Sequence, residues 1–462
     1  MSNRPNGRPG RGAPADSPGS ADGGVRGGRF VRTAAAGSGT LPRVSWLLLG
    51  FGVLSALAAL NAFWPVRTPL LAIVGFFAGW LTIELALHSL VVHAAVLAWL
   101  CAEGGLAGWP GVVGLVLALA ACVGLVALHL RSRRVAIVLR DFYKEAEIEL
   151  KPDAPRYPRS HVLIPWLAFH RRDIDVVRDV AFAEVDGKPL RLDVFRPRAP
   201  GTRRPALLQV HGGAWFLGFK EYQGIPLLSH MAAQGWVGFN VDYRLSPRAT
   251  FPAHIVDVKR ALAWIREHAD EYGVDPDFVV VTGGSAGGHL AALLALTPGD
   301  PEYQPGFESA DTSVRAAIVF YGVFDMTDRV PGRARRFMEI LERWVFKKTY
   351  ADDPGVFLRA SPVERVTADA PTFLVIHGTR DTLTPVVDAR RFVARLRAVS
   401  RRPALYLEMQ GAEHAFDVFP SVRNVPVIEA CERFLATQYA AYVAGRSAQA
   451  AAVRAVDEIA AS

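Results

Sequence analysis

The chain predicts an α/β fold: a mostly parallel sheet with helices on both faces, preceded by an N-terminal transmembrane helical segment. Three observations carry this. From about residue 177 onward, short runs of Val, Ile, Leu and Phe alternate with helical patterns, the rhythm of βαβ units. Between residues 46 and 130 lie apolar stretches long enough to cross a bilayer. The run Phe278-Val-Val-Val-Thr-Gly-Gly-Ser-Ala-Gly-Gly-His-Leu290 reads as a strand, a sharp turn and a helix, with one serine at the apex.

Length and composition set the bounds. A chain of 462 residues has room for a large catalytic domain and something more, and its 51% hydrophobic content points to lipid. The net charge of +8 comes from arginines that are scattered or sit beside apolar spans. With no zinc-finger spacing and no RNP-like motif, the charge suits a membrane surface or tail rather than nucleic acid. Cys101 and Cys122 fall in apolar segments and Cys431 in a C-terminal helix, so no disulfide framework is expected. No His/Cys cluster has metal-ligand spacing, and neither a metal nor a cofactor is expected.

Residues 1–41, rich in Gly, Pro, Ser and Arg, cannot bury a core and are expected to be disordered. Residues 42–131 hold about three spans. The first runs from Trp46 to Trp64, with tryptophans at both expected interfaces. After the break Pro65-Val-Arg-Thr-Pro69, the second runs from Leu70 to about Leu100 and carries Glu84, His88 and His93. Glu84 and His88 are four apart on one helix face. Ionisable groups inside a membrane are functional suspects, against the alternative that they pair with each other or face neighbouring helices. Val112 to Leu130 is the last span, followed by Arg131, Arg133 and Arg134. Arginines flank the first and last spans, which asks for an even number of crossings. The count is three unless the middle stretch folds as a hairpin, so the side of the membrane stays open.

Residues 132–176 read as a linker or cap, with a helical pattern from Arg140 and a Pro-rich stretch at 152–158. Residues 177–443 read as the catalytic domain. Segments 178–184 and 189–196 join through the hairpin signal Asp186-Gly187. Strands follow at 206–210, 237–241, 278–281, 316–321, 372–376 and 404–408, and helices at 256–272, 286–296, 386–399 and 425–443. Residues 444–462 form an Ala-rich tail.

Five pieces fall where strands end. Ser285 is the nucleophile candidate; the glycines around it let strand and helix pass close to a strained turn. Ala286 opens the helix, so its N–H has no helical partner and faces any oxyanion formed by attack of Ser285. A phosphate-gripping loop is the alternative, but the P-loop lysine is missing. His211-Gly212-Gly213-Ala214-Trp215 is a Gly-Gly turn that can aim backbone N–H groups at the same point, against the reading of an ordinary βα turn. Asp381, in His377-Gly-Thr-Arg-Asp381, can orient a histidine rather than merely cap a loop. His414, after strand 404–408, is the general-base candidate, while His254, His289 and His377 are assigned structural roles. Asp242-Tyr-Arg-Leu-Ser-Pro247 with Asp257 supplies charges that brace the loops under the site. The order oxyanion turn, Ser, Asp, His, each at a strand's carboxyl end, makes the set more specific than its parts.

On these residues the region from about 177 to 440 resembles the α/β-hydrolase-fold esterases and lipases, in particular the hormone-sensitive-lipase-like branch. The apolar N-terminal spans resemble the membrane-anchored proteins of that type in actinobacteria. The resemblance implies Ser285 as nucleophile, Asp381 as acid and His414 as base. It implies the N–H groups of Gly213, Ala214 and Ala286 as oxyanion donors, with Gly212 shaping the turn. The implied substrate is a small-molecule acyl ester, including lipid-like ones, with no cofactor and no nucleic acid. Two departures stand out: Ala214 replaces the usual third glycine, and Arg248 replaces the usual acidic residue after Ser-Pro. Phe337 to Phe346 is an acyl-pocket wall or a surface helix. Similar motifs occur in prolyl-oligopeptidase-like and arylformamidase-like hydrolases, and an acyltransferase would use the same residues. A non-catalytic membrane receptor is disfavoured because all three catalytic candidates remain.

Overall fold

Alternation along the strands divides the core in two. The computed structural model describes residues 43–66, 71–148, 156–327, 329–331, 333 and 335–461. The expected disordered tail at 1–41 lies outside them, as do residues 67–70 of the Pro-rich break and 149–155 of the linker. Eight strands form one sheet: β1 (Ile174–Val185), β2 (Lys188–Pro197), β3 (Arg204–Val210), β4 (Val237–Val241), β5 (Val274–Gly284), β6 (Ala316–Phe320), β7 (Thr372–Gly378) and β8 (Ala404–Met409). Their spatial order is β1-β2-β4-β3-β5-β6-β7-β8. β1 and β2 make an antiparallel hairpin whose turn, Asp186-Gly187, has positive φ at both residues, as a two-residue hairpin requires. β2 and β4 are also antiparallel, and every later pairing is parallel. Parallel strands are covered on both faces, and the apolar runs of β3 to β7 are buried along nearly their whole length.

Successive residues of those runs serve opposite layers. Val279, Val281, Val319 and Val375 pack with Ile255, Leu290 and Phe392 on one face. Phe278, Val280, Ile318 and Ile376 pack with Leu139, Leu228 and Phe434 on the other.

Ahead of the sheet, α1 (Arg43–Phe63) and α4 (Gly108–Ser132) are long and apolar enough to cross a membrane. They approach closely where Gly52 meets Gly114; a Cβ on either would collide with the other helix's backbone. Outward side chains such as Leu54, Val91, Val116 and Val123 are all more than half exposed, an apolar surface that suits lipid better than water. The middle stretch is neither one straight span nor a hairpin. It breaks at Leu85 into α2 (Ala72–Glu84) and α3 (Ala86–Ala102), bent by 94°. That break undoes the shared face of Glu84 and His88, and the two do not pair. Glu84 instead meets Ser421 and Arg423, and His88 Nε2 donates to the Leu163 carbonyl at 3.0 Å.

α5 (Val135–Glu145) packs its Val135, Leu139 and Phe142 into the same layer as α6 (Ile225–Ala233). α7 (Ala253–Glu267), α8 (Ala286–Leu296) and α9 (Val386–Val399) cover the opposite face. α10 (Asn424–Ala461) continues as helix through the Ala-rich end.

Candidate active site

Each candidate side chain sits at or just beyond the carboxyl end of a strand. Ser285 joins β5 directly to α8 with φ 58° and ψ −122°, a conformation that costs a non-glycine residue free energy and is held by its surroundings. Its N–H donates to the Phe320 carbonyl at 3.0 Å, fixing the elbow to the neighbouring strand. A Cβ on Gly287 would strike the Val210 carbonyl, so the first turn of α8 can lie against β3 only without a side chain there. Ser285 remains partly exposed, and among the described residues its hydroxyl has no hydrogen-bond partner.

The Gly-Gly turn after β3 abuts this serine. A Cβ on Gly212 would come within 2.7 Å of the Gly284 carbonyl and 3.1 Å of Ser285 Cβ. The Gly212 N–H is already bound to Gln223 Oε1 at 2.7 Å, which ties down the turn. The N–H groups of Gly213 and Ala214 have no acceptor among the described residues, and Ala286 opens α8, where helical N–H groups lack partners. Ala214 has φ 53° and Trp215 φ 65°. The left-handed backbone explains why glycine would be easier at 214; alanine there costs about 1–2 kcal/mol.

Asp381 and His414 meet. His414 Nδ1 lies 2.8 Å from Asp381 Oδ2, with both side chains buried. Asp381 Oδ1 accepts the N–H groups of Leu383 (2.9 Å) and Thr384 (2.7 Å), and its Oδ2 accepts Thr384 Oγ1 at 2.9 Å. Burial alone would raise its pKa, but the His414 charge and the hydrogen bonds from His377 and His414 prevail and hold the carboxyl well below its usual range. For His414, burial works against the cation, yet Asp381 outweighs it and the imidazole is raised above its ordinary value. An ionised Asp381 only accepts, so Nδ1 carries the proton and Nε2 keeps its lone pair.

Tyr321 links this pair to the serine. Its ring lies 4.4 Å from the His414 imidazole, centroid to centroid, and a Cβ on Gly284 would sit 2.7 Å from its hydroxyl. The imidazole and the serine elbow therefore flank one side chain at one sheet edge. Tyr321 Oη donates to Asp417. Glu413 fastens the two loops together: its Oε1 accepts Thr382 N–H (2.7 Å), Thr382 Oγ1 (2.9 Å) and His414 N–H (2.9 Å). Burial, then the nearby Asp381, push its carboxyl up to about 7.

Tyr321, Glu413 and Asp417 belong to the site without a motif of their own in the sequence. Tyr321 ends the run 316–321 at the same sheet edge as the other candidates, which was its one signal. His289 and His254 are buried and structural: His289 accepts the Trp215 indole N–H and donates to the Ala360 carbonyl, and His254 meets Ser246 Oγ. His377 does more than expected, since it lies 3.4 Å from Asp381. The charges of the 242–257 segment do brace loops: Arg244 forms a two-pronged pair with buried Asp257, and Asp242 accepts the Lys220 N–H. Arg248 is exposed and makes no ion pair among the described residues. The apolar segment 337–346 is not a plain surface helix. Phe337 meets Trp215 beside the glycine turn, while Leu341, Val345 and Phe346 are core.

Residues 192–396 match the BD-FAE family model, a stretch that contains Ser285 and Asp381 and ends before His414. The chain is 48% identical over 270 residues to "Probable carboxylic ester hydrolase LipM" of Mycobacterium tuberculosis, covering 58% of this chain and 62% of the relative. It is 46% identical over 272 residues to "Esterase LipQ" of the same organism, covering 58% and 64%. The chain thus spans less than two thirds of the length of these curated relatives. Among solved structures, Thermogutta terrifontis esterase 2 phosphonylated by sarin aligns with a TM-score of 0.50 at 27% identity, over 57% of this chain and 94% of that one. The sheet and its covering helices have the α/β-hydrolase fold.

Proposed function

We propose that this protein is a serine carboxylic ester hydrolase of the hormone-sensitive-lipase-like branch, acting through an acyl-enzyme on Ser285. The observation that carries the reading is the His414–Asp381 hydrogen bond at the sheet edge that bears the elbow serine. In the first half-reaction His414 Nε2 takes the Ser285 hydroxyl proton as Oγ bonds to the ester carbonyl carbon. The N–H groups of Gly213, Ala214 and Ala286 receive the oxyanion; one such donor is typically worth about a hundred- to a thousand-fold in rate. The imidazolium, stabilised by Asp381, gives its proton to the departing alkoxide as the C–O bond breaks. Water then repeats the sequence, with His414 as base, and the carboxylic acid leaves as Ser285 regains its proton. The names of the similar mycobacterial proteins, and the phosphonylated state of the structural relative, support this chemistry.

The same reading makes the N-terminal helices a membrane anchor, on the length and apolar surface of α1 and α4. A lipid-like acyl ester is then within the substrate range. Ser285→Ala tests the proposal: it should abolish turnover of p-nitrophenyl butyrate and labelling by a fluorophosphonate, with the thermal unfolding profile kept. Retained turnover in that variant would overturn it.

A further inference from the structure

One face of α2 runs along the loop that carries His414. Phe76, Trp80 and Glu84 are spaced four apart, so they share that face. They meet the loop in sequence order. The Phe76 ring stands edge-on to the His414 imidazole, with centroids 6.1 Å apart at 71°. The Trp80 indole N–H donates to the Ala415 carbonyl at 2.8 Å, and its ring stacks on Phe419 at 5.2 Å. Glu84 accepts Ser421 Oγ at 2.8 Å and pairs with Arg423 at 3.2 Å, both groups buried. Arg423 in turn donates to the Gln410 carbonyl, at the other end of the same loop, and to Ser132 of α4.

The loop needs such support. Ala415 has φ 59°, a left-handed backbone that alanine does not favour, and it adjoins the imidazole that must stay aimed. Its carbonyl is the atom that Trp80 binds. Two other elements hold the histidine: Asp381 beyond β7 binds its Nδ1, and Tyr321 beyond β6 lays its ring on the imidazole while its hydroxyl donates to Asp417 further along the loop, so of the three only α2 binds the Ala415 carbonyl.

We infer that α2, a segment of the apolar N-terminal bundle, is a positioning element of the catalytic histidine, with Phe76 and Trp80 setting the place of His414 against Ser285. The inference rests on the ester-hydrolase reading. Its mechanical content is that the bundle and the sheet domain share one site, so catalysis depends on how α2 is seated as well as on the triad.

The imidazole reports this directly. The titratable groups facing it are Asp381, Glu413, Asp417 and Tyr321, with His377 behind Asp381; α2 contributes an uncharged ring. Phe76 shields His414 from water. Replacing it with alanine admits water, which favours the cation, so the acid limb of activity should move to higher pH.

The test uses the full chain in detergent micelles, with active sites counted by fluorophosphonate titration. Trp80→Phe keeps an aromatic side chain but removes the N–H; kcat per titrated site for p-nitrophenyl butyrate should fall about tenfold or more, as small displacements of catalytic groups do, with KM unchanged. The rate of fluorophosphonate labelling should fall by the same factor. Phe76→Ala should raise the midpoint of the acid limb. Trp99→Phe, on the exposed side of α3, should match the wild type in every measure. If Trp80→Phe and Phe76→Ala lower only yield or thermal stability while kcat per site, labelling rate and acid limb stay at wild-type values, the inference is overturned and the hydrolase reading stands. A wild-type protein that neither turns over ester nor labels would overturn both.

Discussion

Replacing Asp381 by asparagine isolates what the carboxylate does, because the two side chains differ by one atom's chemistry. Asp381 Oδ1 is pinned by the N–H groups of Leu383 and Thr384. Asparagine must keep its carbonyl on that side, since the reverse orientation would point its NH2 at two donors. The amide nitrogen then faces His414 Nδ1, where Asp381 Oδ2 now accepts at 2.8 Å. A donor at that position drives the imidazole to its other tautomer, with the proton on Nε2 and no lone pair left to take the serine proton. The expected loss is about 10⁴-fold in kcat, or about 5 kcal/mol of transition-state stabilisation. A second signature has a definite sign. Asp381 is what raises His414 above its ordinary pKa against the effect of burial. The base must be neutral to act, so wild-type activity fails as pH drops through that raised value. In Asp381→Asn the residual activity should fail at lower pH. Hydrolysis of p-nitrophenyl butyrate from roughly pH 5 to pH 9, normalised to protein, reads both quantities. A loss below about tenfold, or an acid limb that moves to higher pH, would refute the assignment of Asp381 as the orienting acid.

Other substitutions probe the surrounding parts. Gly212→Ala would place a methyl 2.7 Å from the Gly284 carbonyl and 3.1 Å from Ser285 Cβ, so the glycine turn or the elbow must move; kcat should fall about a hundred- to a thousand-fold, and a near-wild-type rate would contradict the close approach. Tyr321→Phe keeps the ring on His414 but removes the donor to Asp417; denaturation should show a loss of about 1–3 kcal/mol while kcat changes less than about tenfold. Arg423→Met leaves Glu84 buried without its partner and should cost about 3–5 kcal/mol, most of it recovered in the double variant with Glu84→Leu. A single variant as stable as the wild type would show that the pair is not desolvated.

What could be read from the sequence divides along a physical line. The strands were legible because each is a short apolar or alternating run closed by turn residues, and all eight observed strands overlap the expected ones. The serine, the glycine turn, Asp381 and His414 were legible for a related reason: a parallel sheet puts its site at strand ends, so the residue just past each run is the one to inspect. Tyr321 ended such a run and was read only as strand. Phe76 and Trp80 gave no comparable signal, and Glu84 stood out only as an ionisable group in an apolar stretch. A helix that is apolar all round has no amphipathic stripe to say which face it docks, and nothing in α2 distinguishes Trp80 from Phe77 until a partner is known. The partner of Glu84 lies 337 residues away, beyond any local pattern, and the bend at Leu85 separates it from the histidine that spacing had paired with it. Local periodicity can place a catalytic group on an element. It cannot report the contact between two elements that aims the group, and here that contact joins the apolar bundle to the loop of His414.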